Sequence, residues 1–185
     1  QVVGAGIVVD VSKHFNKIIE VNKTEGWAIV QPGIVRDDLN QYLKSYGYFF
    51  APETSTANRA MIGGMIGNNS CGSNSVVYGS TREHLMEVNV MLADASRAWF
   101  GPLSKDGFMH HVQATDTTLH TQVYRHIYAV LSAPPPPPPP EAAFPKASVE
   151  RRNTGYAIDM LARMQPFHAA GAPFNFSSLI AGSEG

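Results

Sequence analysis

Short apolar runs alternate with polar, glycine-bearing turns along the first hundred residues, and each run marks an element. Gly6-Ile7-Val8-Val9-Asp10-Val11, Lys17-Ile18-Ile19-Glu20-Val21 and Trp27-Ala28-Ile29-Val30-Gln31 are β-branched runs that predict three strands. Asn22-Lys23-Thr24-Glu25-Gly26 reads as a turn, so the second and third runs should pair as a hairpin that Pro32-Gly33 ends. Val35, Leu39, Tyr42, Leu43 and Tyr46 then recur on one helical face. Asp37 and Asp38 suit the first turn of that helix, and Gly47 suits its stop. Glu87-Val88-Asn89-Val90-Met91-Leu92 predicts another strand, with Arg97 to Phe100 as its hairpin partner. Leu119, Val123, Ile127 and Val130 form the stripe of a helix over Thr117 to Leu131. A short helix around Ala157 to Met164 and a strand or turn at Leu179-Ile180-Ala181-Gly182 complete the pattern.

The pattern lapses over residues 51–82, which are rich in Gly, Asn, Ser and Thr. A loop that long inside a domain is usually functional. Gly63-Gly64-Met65-Ile66-Gly67-Asn68-Asn69-Ser70-Cys71-Gly72 puts four glycines within ten residues, a poor sequence for either helix or strand. It suits an anionic cofactor, because glycine lets backbone N–H groups approach phosphate oxygens closely. On composition alone a surface turn cluster fits equally.

Composition narrows the class. The chain has 185 residues, 44% hydrophobic and 16% charged, with a net charge of -1, which describes a soluble globular protein of one domain, or one with a partial second, and neither a nucleic-acid face nor a polybasic stripe. No apolar run is long enough to span a bilayer. One cysteine, Cys71, excludes an internal disulfide framework and fits a cytoplasmic, reducing compartment. The seven prolines Pro134 to Pro140 must run as polyproline II, either as an exposed spacer or as a ligand for a proline-binding domain. That second option supplies the alternative reading, a non-catalytic interaction module.

Four blocks, in order, resemble the flavin-binding domain of the p-cresol methylhydroxylase type, in the vanillyl-alcohol oxidase superfamily. They are Gly6 to Val11 leading to Val30-Gln31-Pro32-Gly33; Ala51-Pro52-Glu53-Thr54-Ser55 with Met61 to Gly72; Tyr78-Gly79-Ser80-Thr81 leading into the Leu85 to Asp94 strand; and Asn153-Thr154-Gly155-Tyr156 with Gly182-Ser183-Glu184-Gly185. The likeness is to the FAD-linked branch of D-lactate, glycolate and D-2-hydroxyglutarate dehydrogenases, and within it to bacterial proteins carrying a C-terminal iron–sulfur region. It implies an α+β fold in two subdomains, with mainly antiparallel strands, packed helices and the Gly63 to Thr81 loop running between them. The divisions expected are 1–50 for the end of the first subdomain, 51–82 for the cofactor loop and 83–185 for the second. Gly63 and Gly64 would lie along the FAD pyrophosphate, with Asn68, Asn69 and Gly72 beyond them. Pro52, Thr54 and Ser55 would line the flavin side, Tyr78, Gly79 and Ser80 would close the loop, and Gly182, Ser183, Glu184 and Gly185 would pack on the adenosine half.

The resemblance also implies a chain cut at both ends, with a first phosphate loop before Gln1 and a substrate domain after Gly185. The implied reaction of the intact protein is oxidation of a small D-2-hydroxy acid by hydride transfer to flavin N5, electrons leaving through a second acceptor. Iron–sulfur clusters would belong to the missing region, and so would the base, leaving no residue here to name as catalytic. The implied localisation is cytoplasmic, and a dimer and a monomer both stay open. Cys71 is expected to be a small buried packer rather than a flavin tether or redox thiol. His110 and His111 are adjacent and His120 and His126 are six apart, not the i, i+4 spacing of a zinc helix, so no metal is expected. Arg151 and Arg152 could anchor a carboxylate or lie in solvent. A P-loop is set aside, because the glycines run into Asn68-Asn69 instead of Lys followed by Ser or Thr.

Overall fold

A computed structural model describes residues 6–133, 144–146, 148–149 and 155–184. Pro134 to Pro140, Arg151 to Thr154 and Gly185 lie outside the described residues. Strand β1 (Ile18–Asn22) pairs antiparallel with β2 (Trp27–Val30), as their β-branched runs and the Asn22 turn dictate. The Asn22 amide oxygen accepts the backbone N–H groups of Thr24 and Glu25, fixing that turn. Helix α1 (Arg36–Leu43) follows, continues as a 3-10 turn at Lys44–Tyr46, and stops where Gly47 takes φ +79°. Only Leu39 and Leu43 of its expected stripe are buried; Tyr42 is exposed and stacks on Tyr46 at 5.6 Å. Val35 gives no side-chain cap, and backbone does the work instead: Arg36 N–H donates to the Ala60 carbonyl at 2.8 Å.

Hairpin and α1 enclose a first core of Ile34, Leu39, Leu43, Ile62 and Met65, with Ile18, Val21, Ala28 and Val30 packed on it. The last two core residues come from α2 (Ile62–Gly67), so the glycine stretch forms a helical turn and a half, contrary to the expectation of a loop there. Tertiary packing overrides propensity: Ile62 and Met65 reach the core, and Gly63 lets the helix lie directly on Pro32. A further short helix, α3 (Ser75–Tyr78), and a 3-10 turn at Thr81–His84 break up the rest of the expected loop.

The second half builds on β3 (Val88–Met91) paired antiparallel with β4 (Arg97–Phe100), α4 (Lys105–Gln113), α5 (Leu119–Ser132), α6 (Ile158–Ala162) and α7 (Ser177–Ile180). Its core is aromatic: Phe100, Phe108, Tyr124, Phe174 and Phe176 with Ala98, Ile127 and Leu161. Phe108 and Phe174 approach to 4.4 Å between ring centres. This core turns α5 off the expected stripe, burying Thr121, Tyr124 and Ile127 while Val130 stays 38% exposed. Helix α7 also corrects the strand or turn expected at 179–182: Leu179 and Ile180 are helical, and the turn begins at Ala181. Residues 7–11 form no strand: Ile7 is 94% exposed and no described segment pairs with the run, so β-branched composition alone does not make one. The whole is an α+β arrangement of helices and two small antiparallel sheets.

Candidate functional site

The stretches expected to meet the cofactor converge around α2. On one side, segment 51–56 lies against the loop after the helix. A Cβ at Gly72 would stand 2.3 Å from the Glu53 carbonyl, and the Glu53 carboxylate accepts from Asn74 Nδ2 at 2.8 Å. Pro52 is buried, its carbonyl accepting from Arg36 Nε at 3.1 Å. Thr54 is half-buried and pairs its hydroxyl with Thr56, and Ser55 is exposed. At the far end of α2, the Gly182 and Glu184 N–H groups donate to the carbonyls of Ile66 (3.0 Å) and Gly67 (2.8 Å). The Gly182–Glu184 turn therefore docks on the glycine helix, with Ser183 half-buried between two anchored neighbours.

The loop returning from α2 is held from inside. Asn69 is buried at φ +48°, a conformation asparagine tolerates. Its amide oxygen accepts from the Ser80 hydroxyl at 2.8 Å and the Arg82 N–H at 2.9 Å, which places that oxygen in the interior instead of along a ligand. Asn68 is exposed. Ser80 is buried and forms a reciprocal cap with Glu83, whose carboxylate accepts from the Ser80 N–H at 2.7 Å. Gly79, at φ +77°, turns the chain into that cap. Cys71 is half-buried, not the buried packer expected.

Arg82 carries no sequence signature beyond following the Tyr78 to Thr81 block, and sequence reasoning missed it. It is 4% exposed. Its Nε donates to the carbonyls of Ser178 (2.9 Å) and Ala181 (3.1 Å), and its Nη2 to those of Gly155 (2.9 Å) and Ala181. Burying a guanidinium is tolerable when carbonyls replace its water, as here.

The glycines divide by role. Gly63 and Gly72 pack tightly on neighbouring chain, whereas a Cβ at Gly64 would meet nothing within 4 Å. The Gly64 N–H donates to no described residue. Further along the chain, α3 presents Val76 (69% exposed), Val77 (75%) and Tyr78, whose ring meets the exposed Phe49 edge-on at 5.6 Å. An open backbone donor suits a phosphate oxygen and an exposed apolar face suits a planar ring, the two chemistries that FAD carries.

Other polar groups gather elsewhere. His111 stacks on Tyr124 at 4.6 Å and meets His120 edge-on at 5.0 Å; burial lowers the pKa of both imidazoles and raises that of the Tyr124 phenol. Hydrogen bonds from Thr118 and Thr121 pull Asp116 down to about 2. Among the described residues no three His, Cys, Asp or Glu side chains converge as a metal set. A cavity of about 420 Å³ opens between Lys105, Met109, Tyr128, Leu131 and Phe167; no glycine-loop residue lines it.

Two small antiparallel hairpins with packed helices and a glycine-rich helix are consistent with an α+β FAD-binding domain fragment. The chain belongs to the FAD binding domain family, which it matches over residues 1–101, within the vanillyl-alcohol oxidase and p-cresol methylhydroxylase flavoproteins. Over 185 residues it is 53% identical to a D-2-hydroxyglutarate dehydrogenase of Escherichia coli (strain K12), covering 100% of this chain and 17% of that protein. It is 38% identical over 180 residues to the D-2-hydroxyglutarate dehydrogenase of Pseudomonas putida (97% of this chain, 17% of the relative). It is 38% identical over 96 residues to glycolate oxidase subunit GlcD of Bacillus subtilis (51% and 20%). The chain thus spans 17% of the length of the two dehydrogenases. No helix among the described residues is long and apolar enough to cross a membrane.

Proposed function

We propose that this chain is the FAD-holding part of a cytoplasmic dehydrogenase that oxidises a small D-2-hydroxy acid, with D-2-hydroxyglutarate as the first candidate. The observation that carries this is the 53% identity to a D-2-hydroxyglutarate dehydrogenase along all 185 residues. When bound, FAD supplies the hydride acceptor. The chain's own residues bind and orient it. Gly64 offers its N–H to a phosphate oxygen, and Asn68, Ser183 and Glu184 border the same edge. Pro52, Thr54, Ser55 and Tyr78 flank the ring system. Gly63, Asn69, Gly72, Gly79, Ser80 and Gly182 set the backbone on which those groups ride, and Gly185 is assigned to the cofactor with them. The domain divisions 1–50, 51–82 and 83–185 are part of this reading, as is an electron acceptor outside the chain.

The test is anaerobic flavin reduction in the full-length protein by D-2-hydroxyglutarate, D-lactate and glycolate. D-2-hydroxyglutarate is expected to bleach the flavin band with kcat/KM at least about tenfold above the other two. A flavin that none of the three acids reduces refutes the substrate class, and a colourless protein that takes up no FAD refutes the site.

A further inference from the structure

The turn at Gly182–Glu184 and the loop after α2 are about a hundred residues apart in sequence, yet one residue touches both, the loop through its backbone and the turn through its side chain. Arg82 is fixed at its backbone by the Asn69 amide oxygen (2.9 Å) and at its guanidinium by the carbonyls of Gly155, Ser178 and Ala181. Gly182, next along, lies directly on it: a Cβ there would stand 2.6 Å from Arg82 Nη2 and 2.6 Å from the Gly155 oxygen, at a φ of +104°. The same Gly182 donates its N–H to Ile66, and Glu184 donates to Gly67, at the end of the glycine helix.

We propose that Arg82 is the positioning residue of the cofactor site, a brace that locks the Gly182–Glu184 turn onto the end of α2 and so pre-forms the edge along which FAD lies. The proposal rests on the placement of FAD given above. Planarity is what the job needs: Nε and Nη2 both converge on the Ala181 carbonyl while reaching Ser178 and Gly155 on either side. A lysine ammonium is a single point and cannot span that set. Ordering the turn before the ligand arrives removes an entropic cost from binding, so the brace acts on affinity rather than on any chemical step.

The experiment uses the full-length protein with Arg82→Lys, and two readouts. In the flavin-free protein, amide exchange at Gly182 and Glu184 is expected to speed up at least about tenfold, as charge-assisted hydrogen bonds are lost. In FAD titrations well below the unfolding temperature, Kd is expected to rise at least about tenfold. A purely structural role would lower the unfolding temperature and leave Kd of the folded protein unmoved, and that outcome overturns the proposal. So does wild-type protection at Gly182 and Glu184. Should Arg82→Lys not fold, Gly182→Ala strains the same joint and is expected to give both signatures; wild-type affinity there is equally fatal. The double variant should be no worse than the more severe single one, since both break one link. Failure of the wild type to take up FAD would sink the site reading, while the exchange arm, run without flavin, still decides the brace.

Discussion

Adjacent glycines in α2 should respond to the same substitution with opposite signs. At Gly63 an alanine Cβ would sit 2.6 Å from Pro32 Cβ and 3.1 Å from the Pro32 carbonyl oxygen, which belong to a rigid ring and to backbone. Relieving that overlap requires a shift of about 1 Å, an overpacking cost of about 1–3 kcal/mol, only partly offset by the helix propensity that alanine gains. At Gly64 the same methyl meets nothing within 4 Å, so the propensity gain of about 0.4–1 kcal/mol stands alone. Denaturant midpoints of the flavin-free protein should therefore fall for Gly63→Ala and rise for Gly64→Ala. FAD affinity should drop in both, and in Gly64→Ala it drops in spite of the stability gain, because the methyl fills the space assigned to a phosphate. A Gly64→Ala protein that is more stable and binds FAD as tightly as the wild type would show that the cofactor does not lie against this glycine. Equal destabilisation by both variants would refute the packing argument itself.

Removing the Phe108 ring, fully buried among Tyr124, Phe167 and Phe174, should cost about 3–5 kcal/mol by equilibrium unfolding. Thr118→Ala removes the hydroxyl that accepts from the Thr121 N–H at the start of α5, and should cost about 1 kcal/mol in the same assay. His111 and His120 make stability pH-dependent. Burial lowers both of their pKa values, so as pH falls below about 6.5 the unfolded chain takes up protons that the folded one does not, and stability declines toward the folded-state values. The unfolding temperature should thus drop from pH 7.5 to pH 5.5, and the drop should shrink in a His111→Asn, His120→Asn double variant; an unchanged slope would assign it to other groups.

Local patterns foretold the elements that local forces form. Both hairpins were legible, because β-branched or aromatic runs flank turns that Asn22 and Asp94 fix through their own side chains, each accepting backbone N–H groups two or three residues on. Helix α1 was legible from Leu39, Leu43 and Gly47. Helix α4 was missed: Gly107 and the pair His110-His111 blur its period, and it forms because Phe108 enters the aromatic core and Ser104 caps the Gly107 N–H at 3.1 Å. The face of α5 was misread because Tyr124, an aromatic with a polar tip, outcompetes Leu119 and Val130 for a core made of rings contributed from elsewhere in the chain. At the candidate site, glycine and asparagine composition marked the stretch but could not assign roles. Which glycine is wedged and which is open depends on Pro32 and Glu53, and the interior role of Asn69 depends on Ser80 and Arg82.

The match to the FAD binding domain family stops at residue 101, but the contacts do not. Asn175 Nδ2 donates to the Met86 carbonyl at 2.7 Å, Leu103 bridges to Phe174, and the Arg82 guanidinium finds its acceptors 73 to 99 positions downstream. A ribosome making this protein must add those positions before the arginine can be enclosed, a wait of about 5–20 s at typical synthesis rates. Expression boundaries drawn at residue 101 would therefore cut away the carbonyls that enclose Arg82, and a version meant to keep that enclosure and the Gly182 and Glu184 contacts to α2 must run through Glu184.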